Sequence, residues 1–173
     1  MDTLECIRSR ISVRKFSEQD IADEAVHAIL EAAMSGPTAV NARPWSFIVV
    51  RNPETLNAMA DGNGRAAELL RGAKVGILVL GDMERAYKNA PDYWVIDGSI
   101  AAQNMILAAH AMGIGSCWLG TWPQTAKMEA QAKLFHLPET QIPHSIIAFG
   151  YPEAHSDKQK LLYEEDRVHF ERW

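Results

Sequence analysis

Residues 95–112, VIDGSIAAQNMILAAHAM, constrain this chain more than any other stretch. At helical spacing Ile96, Ile100, Ala101, Met105, Leu107, Ala108 and Ala111 wrap most of the cylinder and leave few faces for water. A helix that is apolar nearly all round belongs at the centre of a domain or in a subunit interface. Gly113 stands where a left-handed cap would end it.

The whole chain, 173 residues at 47% hydrophobic and 23% charged, fits one globular domain over residues 1–173 with a full core. A net charge of −5 argues against nucleic acid as a partner. No run approaches the roughly 20 apolar residues needed to cross a bilayer, so no membrane association is expected. Asp2 and Glu5, with no long apolar run behind them, do not read as a signal peptide. Cys6 and Cys117 form no CxxC pair, which fits a reducing cytoplasm.

Before the long helix, Asp2 can cap a short first helix with Leu4 and Ile7 as its inward positions. A second helix is predicted over residues 23–35, with Val26, Ile29, Leu30, Ala33 and Met34 as its buried stripe and Gly36-Pro37 as its stop. From Gly36 to Phe47 the chain reads GPTAVNARPWSF. Pro37 and Pro44 bias the preceding residues away from helix, so the loop is expected to be extended, with unpaired backbone groups that could meet a flat, polar-edged ligand. An ordinary helix-to-strand connection is the other reading.

Strand 45–50 follows, then a short helix over 54–60, a flexible break at Asp61-Gly62-Asn63-Gly64 and a helical piece over 65–70. Residues 74–80 form a compact apolar run of strand length, as expected for a strand buried on both faces. Residues 84–94 are polar and aromatic without a clean period. They suggest a lid with Tyr87, Tyr93 and Trp94 as contacts, or an irregular surface segment.

Arg8, Arg10, Arg14 and Lys15 gather in a segment without an acid between Glu5 and Glu18. If it is extended, Arg10, Ser12 and Arg14 point the same way. Two guanidiniums and a hydroxyl suit a phosphate; a solvated basic edge is the alternative.

Gly113-Ile114-Gly115-Ser116-Cys117-Trp118-Leu119-Gly120 follows a helix, which excludes the strand-then-helix context of a dinucleotide fingerprint. A strand near 116–119, a helix over 124–135 and a strand over 145–151 are expected next. The tail 152–173 could span about 70 Å at about 3.3 Å per residue, against a radius of gyration of about 15 Å for the domain. It reads as an arm, ending in strand-like alternation over 167–173, that reaches across the domain or onto a second subunit.

No histidine pair or Cys/His cluster has metal-ligand spacing, and neither a GxSxG elbow nor a P-loop is present. Cys117 has no sequence neighbour that would activate it and reads as a buried structural thiol. Without a nucleophile, acid–base pair or metal, the hard chemistry falls to a cofactor.

Taken in order, these segments resemble the FMN-dependent nitroreductase family in its short, single-domain form. Arg10-Ile11-Ser12-Val13-Arg14-Lys15-Phe16 is similar to the family's RRSxRxF, and Gly36 to Trp45 to its APSxxNxQPW. Residues 113–120, then Phe149-Gly150-Tyr151-Pro152 and the closing 167–173, recur in the same order. The resemblance implies an α+β fold, a mostly antiparallel sheet flanked by helices, in an intertwined homodimer whose C-terminal strands exchange. It implies FMN with its phosphate and ribityl chain held by Arg10, Ser12 and Arg14, helped by Lys158 or Lys160. Pro37, Thr38 and Asn41 of the other subunit would line the isoalloxazine, with Trp118, Leu119 and Gly120 of the first along the ring.

It also implies that NADH or NADPH donates hydride to flavin N5, and that a nitroaromatic, quinone or related small-molecule acceptor then takes two electrons. A flavin dehalogenase, a flavin-cleaving enzyme of cobalamin ligand synthesis, a flavin-storage module without turnover and a cofactor-free structural dimer are the competing readings. Ile11, Arg43 and Leu162 depart from the family pattern, Arg43 standing where relatives carry glutamine. A cation at the pyrimidine edge of the flavin favours its anionic reduced form. Arg43→Gln should therefore shift the flavin midpoint potential; an unchanged potential in a redox titration would remove Arg43 from that role.

Overall fold

The computed structural model describes residues 1–154 and 163–173. Its centre is the apolar run predicted to be a doubly buried strand, now β2 (Val75–Asp82), buried along nearly its whole length. β2 pairs antiparallel with β1 (Trp45–Val50) on one side and β4 (Gln141–Gly150) on the other, and β4 pairs antiparallel with β3 (Gly115–Gly120). The order β1-β2-β4-β3 leaves β1 and β3 as the edges of an antiparallel sheet.

The two-residue period of a strand divides the core between two layers of helix. Ile77, Val79, Ile147 and Phe149 face α2 (Asp23–Met34) and α4 (Tyr93–Ala111), where they meet Val26, Ile29, Ala101, Ala102, Met105 and Ala109. Leu78, Leu80, Ile146 and Ala148 face the other way, against Leu56, Met59 and Ala60 of α3 (Pro53–Asn63) and the end of α5 (Thr125–Leu134). Each large side chain so buried contributes about 1.5–3 kcal/mol. α1 (Thr3–Ser9) lies against α4, capped by Asp2, whose Oδ1 accepts from the Leu4 and Glu5 N–H groups at 2.9 and 3.1 Å.

Several expectations need correction. Leu4 and Ile7 point outward and Cys6 is the buried residue of α1. Met34 is exposed at the end of the α2 stripe. The break expected at 61–64 is confined to Gly64 at φ 80°, because α3 continues through Asn63, whose side chain is buried. The closing residues do not form a strand in this chain: Glu165–Arg167 make a turn of 3-10 helix and Phe170 and Trp173 are exposed. Lys158, Lys160 and Leu162 lie outside the described residues.

Trp94 is also not a lid residue. It sits in the first turn of α4, buried, with its indole against the backbone of Gly81 in β2. A Cβ at Gly81 would clash severely with Trp94 Cε3. Gly81→Ala is therefore an overpacking substitution, expected to lower unfolding stability by about 1–3 kcal/mol in denaturant titrations.

Candidate active site

Backbone geometry puts the N-terminal basic segment against the outer edge of β3. The Val13 N–H donates to the Ser116 carbonyl at 2.9 Å, and Ser12 bridges Ser116 in parallel. In an antiparallel strand both backbone groups of a residue point to the same side, so Trp118 and Gly120, two and four residues on, turn theirs to this same outer edge. The Gly120 carbonyl accepts from Asn63 Nδ2 and Lys127 Nζ, each at 3.3 Å, and a Cβ at Gly120 would meet nothing within 4 Å. Leu119 turns inward and is buried.

Arg10 is half-buried and Arg14 exposed, with Arg14 Nη1 donating to the Ser12 carbonyl at 3.4 Å. Among the described residues no carboxylate forms an ion pair with either. Burial pushes the Cys117 thiol up, an effect that the nearby Arg14 and Arg10 charges partly offset. That is the behaviour of a structural thiol beside a cationic patch. Asn63 and Lys127 carried no motif in the sequence; Lys127 reaches Gly120 because the first turn of α5 folds back on the end of β3.

The second part is the loop after α2, which is coiled rather than extended. Ala39–Asn41 form a 3-10 turn, and Val40, Asn41 and Arg43 have φ of 48°, 57° and 53°. Left-handed backbone of this kind costs about 1–3 kcal/mol at each non-glycine residue and persists only where the surroundings over-determine it. Here the N–H groups of Asn41 and Ala42 close the turn onto the Thr38 and Ala39 carbonyls. The Arg43 N–H donates to Thr38 Oγ1 and the Ala39 N–H to Asp97 Oδ1 of α4, both at 3.0 Å. The loop therefore has fewer unpaired backbone donors than expected. Pro37 and the Asn41 side chain are exposed, Thr38 is half-buried, and the Arg43 guanidinium lies 5.2 Å from the centre of the Trp45 ring.

The loop leads into the Trp45 end of β1, whereas Ser12 and Val13 lie beside Ser116, which is level with Phe149 and Val75 at the Val50 end. The two parts also lie on opposite edges, three inter-strand steps of about 4.8 Å apart. A single chain does not bring Pro37, Thr38, Asn41 and Arg43 together with Arg10, Ser12, Arg14, Trp118, Leu119 and Gly120.

Near the β3 end, Trp118 and Trp94 both meet the buried His144 edge-on, at 5.7 Å between centres, and Trp94 meets Trp122 at 5.9 Å. Trp118 and Trp122 are partly exposed. Of the remaining lid residues, Tyr93 is exposed and Tyr87 half-buried, with its hydroxyl accepting from Asn89 Nδ2. Among the described residues no group of three or more His, Cys, Asp or Glu side chains could hold a metal ion.

The model of the Nitroreductase family matches residues 7–63 and 61–151 of the sequence. The chain belongs to the nitroreductase family. A protein of Methanothermobacter thermautotrophicus assigned as an NADH dehydrogenase/NAD(P)H nitroreductase is 42% identical over 173 residues, covering 100% of this chain and 88% of its own. The FMN-dependent nitroreductase of Clostridium difficile R20291 superposes with a TM-score of 0.90 at 26% identity, over 99% of this chain and all of that one. A Desulfovibrio desulfuricans structure, assigned as a nitroreductase and solved in complex with FMN, gives 0.79 at 31% identity, over 100% and 99% of the two chains. With these relatives the chain shares the α+β nitroreductase fold.

His144 is a buried titratable group beside Trp118 and Trp94. Its Nε2–H donates to the Val95 carbonyl at 3.1 Å, and in the neutral ring that burial favours Nδ1 accepts from Ser145 Oγ at 2.9 Å. Burial holds its pKa below the ordinary 6.5, and burial with the Arg10 charge does the same for His110. A depressed histidine pKa means that the unfolded chain takes up the proton first. Stability should therefore fall as pH drops below about 6.5. In urea titrations at pH 7.5 and 5.5, His144→Gln is expected to show a smaller difference than the unsubstituted protein; an equal difference would discount His144.

Proposed function

We propose that this chain is an NAD(P)H-dependent FMN oxidoreductase that reduces a nitroaromatic, quinone or related small-molecule acceptor. The observation that carries the reading is a cationic, hydroxyl-bearing segment laid along an open strand edge, in a family whose solved members include an FMN complex.

The residues fit the cofactor. Arg10 and Arg14 offer guanidinium donors that no described carboxylate occupies, Ser12 adds a hydroxyl, and Gly120 leaves room for a ring system to approach the β3 edge. FMN, when bound, would supply the hydride chemistry at its N5. In this reading Arg10, Ser12 and Arg14 hold the phosphate and ribityl chain, with Lys158 or Lys160 of the arm adding charge. Trp118 and Gly120 flank the ring along the strand edge, with the buried Leu119 backing them from inside. Pro37, Thr38 and Asn41 close over it, Asn41 through its free side-chain amide. Arg43, stacked on Trp45, sets a positive charge near that loop. Tyr87 and Tyr93 guard the acceptor's entry, and Trp94 supports them from inside.

Because the two halves of this set sit on opposite sheet edges, the reading requires a homodimer. The outer face of α4 suits one: Val95, Ile96, Ser99, Ile100, Gln103 and Asn104 line an open groove with Ile96 exposed. Leu4 and Ile7 of α1, which packs on the far end of α4 at Leu107 and His110, are exposed apolar side chains as well. The arm from residue 152 would cross to the partner and add a strand to the free edge of β1. Residues 1–173 act as one flavin-binding domain. The free thiols of Cys6 and Cys117 suit the cytoplasm, and no described helix is long and apolar enough to cross a membrane.

The purified protein is expected to be yellow, to release FMN on heating, and to bleach rapidly when mixed with NADH or NADPH in a stopped-flow cell. Bound FMN without bleaching would favour a storage module. A colourless protein that takes up no FMN would end the proposal.

A further inference from the structure

The turn over residues 38–43 holds three non-glycine residues in left-handed backbone. Most of its hydrogen bonds are internal and can be lost together if the turn uncoils. Among the described residues, one hydrogen bond ties these residues to a different element: Ala39 N–H to Asp97 Oδ1. Asp97 is 3% exposed in the second turn of the core helix, and its second oxygen is buried without a hydrogen-bond partner among the described residues. A carboxyl in such a place is unfavourable compared with an apolar side chain of similar size, so its presence calls for a use.

The same face of α4 supplies that use. Asp97, Ile100 and Asn104 stand at i, i+3 and i+7, one above another. Asn104 Nδ2 donates to the Ala32 carbonyl at the end of α2, and a Cβ on Gly36 would lie 2.7 Å from Ile100 Cγ2. The end of α2, its exit glycine and the turn are thus seated on three successive residues of one helix face.

We propose that Asp97 is the positioning residue of the turn: its buried carboxyl, through the Ala39 N–H, holds residues 38–43 in the left-handed shape that a ligand meets. The turn is then preformed, and a bound ligand need not supply the free energy of coiling it.

The test compares the unsubstituted protein with Asp97→Ala, Asp97→Asn and Ala39→Pro, each stripped of flavin. Hydrogen exchange over 38–43 is read against exchange in β2 and β4, and FMN is then titrated by fluorescence quenching. Asp97→Ala should speed exchange in the turn by about tenfold or more while β2 and β4 stay protected. It should weaken FMN binding by about tenfold. Asp97→Asn, whose amide oxygen still accepts from Ala39, should restore both. Ala39→Pro removes the donor without touching α4 and should reproduce the loss even where Asp97→Ala does not fold.

Unchanged exchange in the turn of Asp97→Ala or Ala39→Pro, or an Asp97→Asn protein as loose as Asp97→Ala, would overturn the proposal. The FMN readout alone rests on the flavin reading given above. A loosened turn with unaltered FMN affinity would uphold the anchor and remove this loop from the flavin pocket.

Discussion

The structure depends on how closely α4 approaches the sheet. Gly98, Ala101, Ala102 and Ala109 let the helix lie low on the strands, and a Cβ at Gly98 would come within 3.3–3.4 Å of the His144 ring. Close packing of this kind is what a protein interior rewards and what it tolerates least when disturbed. It sets the height of Trp94 over Gly81, of His144 under Trp118, and of Asp97 beneath the turn. Each of those contacts would be lost if the helix stood farther from the sheet.

The same helix explains why the two halves of the candidate site can be far apart in one chain and still be coupled. α4 contacts β3, which carries Trp118 and Gly120, and also the turn that carries Asn41. Its inner face is spent on the sheet and on α2, while Ile96 and its neighbours leave an outer face that is apolar and open. In a dimer built on that face, the helix that fixes each half-site would also fix the distance between a half-site and its complement. Cationic side chains collected near β3 in an otherwise acidic protein would then favour an anionic ligand there.

How much of this was legible depends on whether the signal was local. The uninterrupted run of β2 was legible because burial on both faces leaves no other composition. The apolar circumference of α4 marked a central helix but not which positions it buries, since Ile96 is exposed and Asp97 buried. The prolines at 37 and 44 marked the loop, but not its coil. Its shape comes from Thr38 Oγ1 and from Asp97, 58 residues beyond Ala39, and proline bias alone favours extension. Leu4 and Ile7 misled for a related reason: helical spacing shows which residues share a face, not whether that face meets this chain or another. Trp94 looked like part of a lid because nothing in its neighbours reveals Gly81 across the fold. Lys127 and Asn63 converge on one carbonyl through tertiary folding and had no motif to find.

The titratable groups around the site share one property. Burial favours the thiol of Cys117, the neutral ring of His144 and the protonated carboxyl of Asp97, pushing each towards its uncharged form. A side chain pushed that way needs less counter-charge to stay buried. Arg10, Arg14 and Lys127 near β3 form no ion pair with a described carboxylate and can attract an anionic ligand. On the function proposed above, such a scaffold would contribute position and field rather than acid–base catalysis. That division would let one fold serve different electron acceptors by altering the walls of the pocket while the residues proposed to hold the cofactor stay in place.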